Sequence, residues 1–137
     1  MHAIVVGFDD TGPARRALQR AAWLAEVACA KLLVVSVVPL LVGAGRSAGP
    51  FDSTDPPERH RAQLDAAREA LHARGVSAEF ILGVGEPAWV IVELAEQRGA
   101  ELIVLGSRQL RLIERLFGQS VTRQVAGQTR CDVLIVH

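Results

Sequence analysis

LIVLGSRQLRLIERLFGQSV, residues 102–121, reads as a buried strand, a loop opened by Gly106 and studded with arginines, and a helix start carrying Gly118 and Ser120. A last strand closes the chain at His137. A strand that runs through a glycine into a helix is half of a parallel crossover unit, whose right-handed connections lay helices over a sheet. The same junction suits a phosphate. Free backbone N–H groups and the helix dipole at a helix start both favour an anion.

Outward from this stretch the alternation fills the chain. Runs rich in Val, Ile and Leu occupy residues 3–7, 32–38, 76–82, 102–105 and 133–136, and four of these five lack polar alternation, as strands covered on both faces do. Between them apolar residues recur three and four apart. Ala14, Ala17, Leu18, Ala21, Leu24 and Ala28 mark a first helix; Leu64, Ala67 and Leu71, after Pro57, a second. Val90, Ile91, Leu94 and Ala95 follow Pro87, and Val121 and Val125 follow Ser120. Thr11 or Gly12 caps the first helix with Pro13 in its first turn, and Gly75 and Gly99 stand just past helix ends. The expected fold is α/β, a doubly wound five-stranded parallel sheet in order 3-2-1-4-5 with helices on both faces, forming a single domain over 1–137. Residues 40–56, rich in glycine and proline, are expected to form a mobile loop.

Composition narrows the function. A chain of 137 residues buries roughly two-thirds of its unfolded surface as one domain. Half the residues are hydrophobic but only 4% are aromatic, so the core is expected to consist of Ala, Val, Leu and Ile. Fifteen basic and fifteen acidic residues cancel, leaving no global field for nucleic acid or membrane. No apolar run reaches the ~18 residues of a membrane span. The N-terminus MHAIVVGFDD reads as a first strand rather than a signal peptide, so a cytoplasmic location is expected. Cys29 and Cys131, without metal-type spacing, are expected to be small buried hydrophobes.

Ligands of open parallel sheets bind beyond the carboxyl ends of the strands where strand order reverses, here between the first and fourth strands. The first strand brings Phe8, Asp9, Asp10 and Thr11; the fourth brings Gly106, Ser107 and Arg108. Asp9 is either a polar contact to a base or ribose or a carboxylate paired with a nearby arginine. Asp10 and Thr11 read as helix-capping groups. Arg108 is the foremost phosphate-binding candidate, with Arg111, Arg115 and Arg123 behind it. Two segments, 83–88 (GVGEPA) and 43–48 (GAGRSA), mimic a dinucleotide fingerprint. The strand after the first ends in Gly106-Ser107 instead of the acid that holds a ribose, and prolines follow the second, so both read as chance. His2, His60, His72 and His137 fall at a terminus, on a polar helix face or at the last residue. With no metal-binding pair, nucleophile motif or Walker lysine, the chain is expected not to be an enzyme; a slow nucleotide hydrolase is the minor alternative.

IVVGFDDTGPARRAL (4–18), LLVVSVVPL (32–40), GVGEPAWVIVELAEQRGAELIVLGSR (83–108) and CDVLIVH (131–137) resemble the universal stress protein family along essentially the whole chain. The resemblance implies a regulatory, adenine-nucleotide-binding fold. The matching contact positions are Asp9, Val37 (whose backbone would meet adenine), Gly106, Arg108, Ser120 and Val121. The family's phosphate loop runs Gly, two residues, Gly, nine residues, Gly, then Ser or Thr; here Gly106, Gln109, Gln119 and Ser120 stand in those places. A left-handed backbone at a non-glycine residue costs about 1 kcal/mol or more, so ATP or AMP binding is expected to be weak or absent. The alternative is a true ATP- or AMP-binding stress-response protein whose loop uses Gly118 in a shifted register. The resemblance also implies a homodimer formed through the last strand, and it matches Cys131 to a cysteine that often precedes that strand. No metal of its own, no nucleic acid and no membrane insertion are expected, and a protein partner remains to be identified.

Overall fold

The computed structural model describes residues 1–40, 54–108 and 131–137. In chain order its elements are β1 (Ala3–Gly7), α1 (Gly12–Ala28), β2 (Lys31–Val38), α2 (Pro57–Arg74), β3 (Glu79–Val84), α3 (Pro87–Gln97), β4 (Leu102–Gly106) and β5 (Asp132–Val136). The strands form one sheet in the order β3-β2-β1-β4-β5, every pairing parallel. That is the expected order. The fourth helix expected after Ser120 and most of the expected loop, residues 41–53, lie outside the described residues.

Because successive strand side chains point to opposite faces, each buried strand feeds two cores. Ile4, Val6, Leu32, Val34, Leu102 and Val104 face α1 and α2, where Ala14, Ala17, Leu18, Ala21, Leu64, Ala67 and Leu71 cover them. Ala3, Val5, Leu33, Val35, Ile103 and Leu105 face α3 and its Ile91, Val92, Leu94 and Ala95. The alanine stripe of α1 brings that helix close to the sheet. Gly106 marks the tightest point: a Cβ there would stand 2.8 Å from the Ala14 nitrogen and from the Pro13 carbonyl carbon.

Helix ends follow local chemistry, with two surprises. Thr11 caps α1 as expected, its side chain accepting from Ala14 N–H, and Pro stands in the first turn. At the other end of α1 the left-handed residue is Cys29, at φ 52°, where glycine is usual. Cys29 is exposed and Cys131 only partly buried, with its thiol donating to the Ala100 carbonyl at 2.7 Å. The expectation of two buried cysteines is therefore corrected: one serves a helix end and the other a strand entry.

The second surprise moves a strand. Pairing of β3 starts at Glu79 against Leu33, three residues later than the expected run from residue 76. Gly75, at φ 78°, ends α2; its N–H bonds to the His72 carbonyl and the N–H of Val76 to that of Leu71. This is a paired C-terminal cap, in which the residue after glycine packs back on the helix. Val76 accordingly joins the same apolar cluster as Leu71, and its hydrophobicity belongs to the cap. No helix among the described residues is long and apolar enough to cross a membrane.

Candidate functional site

A cavity of about 270 Å³ opens over the carboxyl edge of the sheet, just below the ~300 Å³ where ligand sites commonly begin. It does not sit squarely between β1 and β4, as expected. Its floor is the end of β1 (Phe8, Asp9) and of β2 (Val35 to Val37), and one wall is the start of α2. Pro87 and Ile91 of α3 close the opposite side, and Arg108, just past β4, reaches it from across the strand-order reversal. The start of α2 is tied to β2 and forms one side of the cavity.

That turn carries a polar cluster which the sequence reading missed. Ser36 on β2 and His60 and Gln63 on α2 are buried, at 1%, 6% and 8% exposure. The Ser36 hydroxyl stands 2.6 Å from His60 Nδ1 and 3.0 Å from Gln63 Oε1. On its far side, His60 Nε2 is 2.7 Å from Asp55 Oδ1, just before the helix. His60 is thus not on a polar outer face, as expected; it ties the entry of α2 to the middle of the sheet. The signal for it was present. His60 falls on the same stripe as Leu64, Ala67 and Leu71, one turn earlier, and a lone serine in an apolar strand needs a partner. Residues 54–56, the end of the expected loop, are fixed at this junction through Asp55. The order Ser–His–Asp superficially matches a nucleophile, base and orienter. Here the hydroxyl is 1% exposed and held between two side chains, a geometry for orienting neighbours rather than for attack.

Of the site residues expected from sequence, Asp9, Val37 and Arg108 line the cavity. Among the described residues, Asp9 is not paired with an arginine. Its Oδ1 accepts from the Thr11 hydroxyl at 2.6 Å and from the Thr11 N–H at 3.2 Å. The aspartate that finds an arginine is Asp10, bonded to Arg15 Nε at 2.7 Å, not acting as a cap. Gly106 does not line the cavity; close approach of α1 accounts for it. Gly118, Ser120 and Val121, together with Gln109 and Gln119, lie outside the described residues. The sequence reading did not single out Arg59, whose guanidinium donates to the Thr54 carbonyl at 3.2 Å on the cavity rim.

The dinucleotide-like segment 83–88 is disposed of by its own geometry. Glu86 folds over the start of α3, accepting from Ala88 N–H at 3.2 Å and Trp89 N–H at 3.1 Å. A carboxylate already occupies the donors that a pyrophosphate would need. Gly83 is small because a Cβ there would meet Val90 at 2.6 Å.

The cavity joins three chemistries. Phe8, Val35, Val37 and Ile91 make an apolar slot; Asp9 and Asp55 offer carboxylates; Arg59 and Arg108 offer cations. A flat heterocycle suits the slot, a sugar hydroxyl suits a carboxylate, and a phosphate suits the arginines.

Known proteins of the same kind align along the whole length. The sequence model of the "Universal stress protein family" matches residues 1–137. The universal stress protein Rv1636 of Mycobacterium tuberculosis is 34% identical, with 98% of this chain and 94% of that protein aligned. The crystal structure of a universal stress protein in complex with cAMP superposes with a TM-score of 0.72 at 32% identity, covering 99% of this chain and 97% of that one. A universal stress protein from Archaeoglobus fulgidus in complex with dAMP gives a TM-score of 0.75 at 26% identity, covering 100% and 98%.

Proposed function

The chain belongs to the universal stress protein family, and we propose that it is a regulatory, non-catalytic member which takes an adenine mononucleotide in the cavity over β1 and β2. The observation that carries this is the convergence of an apolar slot, Asp9 and Arg108 on one cavity at the carboxyl edge of the sheet. The cAMP and dAMP complexes of similar chains support the choice of ligand. ATP binds more weakly than AMP in this reading. Gln109 and Gln119 replace the glycines that would let a backbone approach the outer phosphates. The protein works in the cytoplasm as a homodimer, β5 pairing with its twin: β5 ends the sheet and Val133 is 38% exposed there.

A thermal-shift series with AMP, cAMP, ADP and ATP tests the ligand. A ligand at a hundred times its Kd adds about 2.7 kcal/mol to native stability, so AMP and cAMP raise the melting point well above the effect of equimolar ATP. No shift with any of the four contradicts the reading. An ATP effect equal to that of AMP favours a loop that uses Gly118. In that event the double change Gln109→Gly with Gln119→Gly leaves ATP affinity unchanged; otherwise it tightens ATP about tenfold, ~1.4 kcal/mol. Light scattering of Leu134→Asp addresses the dimer, which this reading predicts to be lost.

A further inference from the structure

The first two turns of α2 set His60 and Gln63 on the cavity wall, on the buried face that continues with Leu64, Ala67 and Leu71. The hydrogens within that cluster must be conserved. Ser36 owns one hydroxyl hydrogen, and an ionised Asp55 owns none. When Ser36 donates to Gln63 Oε1, the hydrogen in the 2.6 Å contact belongs to His60 Nδ1 and that in the 2.7 Å contact to Nε2, so the imidazole carries both. When the imidazole carries a single hydrogen, it faces Asp55 from Nε2. Ser36 then donates to Nδ1, and Gln63 must turn its amide end for end to donate to Ser36.

Both patterns satisfy every contact in the cluster. They differ in what Gln63 shows the cavity: amide hydrogens in the first, a carbonyl oxygen in the second. In the structure Oε1 is engaged by Ser36, and the amide nitrogen makes no hydrogen bond among the described residues. Gln63 is 8% exposed and lines the cavity, so this end is open to water or to an occupant there.

We propose that Gln63 selects the hydrogen-bonding edge of the ligand in this cavity, and that the proton on His60 sets whether it offers a donor or an acceptor. The proposal rests on the nucleotide reading above. Ser36 and the His60–Asp55 pair are positioning residues; Gln63 is the contact. Among the described residues, the charged groups that line the same cavity as His60 are Asp55 at the entry of α2, Arg59 on α2, Asp9 at the end of β1 and Arg108 after β4, and α3 contributes Pro87 and Ile91. Among the described residues, Asp55 alone of these charged groups bonds to the ring.

The consequence is a preference that depends on pH. With His60 neutral, the carbonyl of Gln63 favours a base bearing an amine, such as adenine. With His60 protonated, the amide hydrogens favour a base bearing a carbonyl, such as hypoxanthine. Titration calorimetry of AMP and IMP at about pH 5.5 and about pH 7.5 reads this directly. Both ligands carry the same phosphate, so phosphate and arginine electrostatics cancel in the ratio of affinities.

The preference for AMP over IMP is expected to rise by about fivefold or more with pH, the scale of one mismatched hydrogen bond. Gln63→Met, similar in volume but without the amide, makes the ratio flat. A readout that needs no variant is the proton exchanged on binding, measured in buffers of different ionisation enthalpy: AMP releases protons relative to IMP. Binding of both nucleotides with a ratio independent of pH and equal proton exchange overturns the proposal and leaves the nucleotide site standing. Binding of neither at either pH overturns the nucleotide reading along with it.

Discussion

Helices α2 and α3 both begin with proline at the carboxyl edge of the sheet, and they treat their first turns in opposite ways. Glu86 folds over α3 and bonds two of its N–H groups, closing that end. At α2 the N-cap residue is Pro56, which makes no side-chain cap bond. Asp55, two residues before the helix, turns sideways to His60 and through it to Ser36 in the sheet. One helix start is thus closed by its own residue, and the other is built into the wall of a cavity. The difference explains why a glycine-rich segment before α3 has its helix-start donors taken by Glu86, while an unremarkable sequence before α2 helps to form the cavity.

The largest break in that contrast is expected from His60→Leu. It leaves Asp55 and the buried Ser36 hydroxyl without their common partner, and the desolvation of such groups costs about 2–3 kcal/mol. Chemical denaturation measures this, and a loss below that of a surface substitution would show that the cluster does not anchor α2. Glu86→Ala is the matching test on α3. It removes a cap at a cost of about 1 kcal/mol and leaves AMP affinity unchanged, since Glu86 does not line the cavity. A loss of AMP binding in this variant would mean that the two helix starts are not separate in function.

Smaller effects sharpen the account away from the site. Cys29→Gly relieves a left-handed non-glycine residue at the end of α1 and is expected to raise stability by a few tenths to about 1 kcal/mol. The smallest effect concerns the other end of α3, where Arg98 grips Glu79 at 2.7 and 2.8 Å. Those hydrogen bonds hold the Glu79 carboxyl below its ordinary range. Because the folded value lies below the unfolded one, the stabilisation is present above the unfolded carboxylate range and is lost as pH falls through the folded value. Melting curves of Glu79→Gln should therefore lie slightly below those of the original chain at neutral pH and converge with them in acid. A gap that persists in acid would assign the pair's effect to packing.

The sheet was legible because its inner strands are nearly pure Val, Ile and Leu, which admit no other placement than burial on both faces. Strand β3 was read three residues early because Val76 is apolar for a different reason, the cap at Gly75. Asp9 and Arg108 were legible as residues that leave strand ends at the reversal of strand order, and Val37 through the family resemblance of the second strand; the structure places all three on the cavity. His60 and Gln63 were not, because Glu58, Arg59 and Arg61 around them make the first turn of α2 read as solvated. The stripe that His60 shares with Leu64, Ala67 and Leu71 was the one sequence signal against that reading, and the contact with Ser36, on a strand 24 residues earlier, shows what the turn faces. Asp10, expected to cap the helix, pairs with Arg15 instead, while Asp9 bonds Thr11: adjacent carboxylates at a strand end are distinguished by the backbone, and Asp10 sits at φ 58°.

The central claim is that one cavity, over β1 and β2, holds an adenine mononucleotide. An amide-shift titration of the isotope-labelled protein with AMP tests it most directly, because it reports affinity and location together. The account predicts saturable shifts concentrated at Asp9, Val37, His60, Gln63 and Arg108, with Trp89 at the capped start of α3 unaffected. Saturable shifts centred instead on α3, or on the outer face of α1 beside β5, would contradict it, as would the absence of any saturable change.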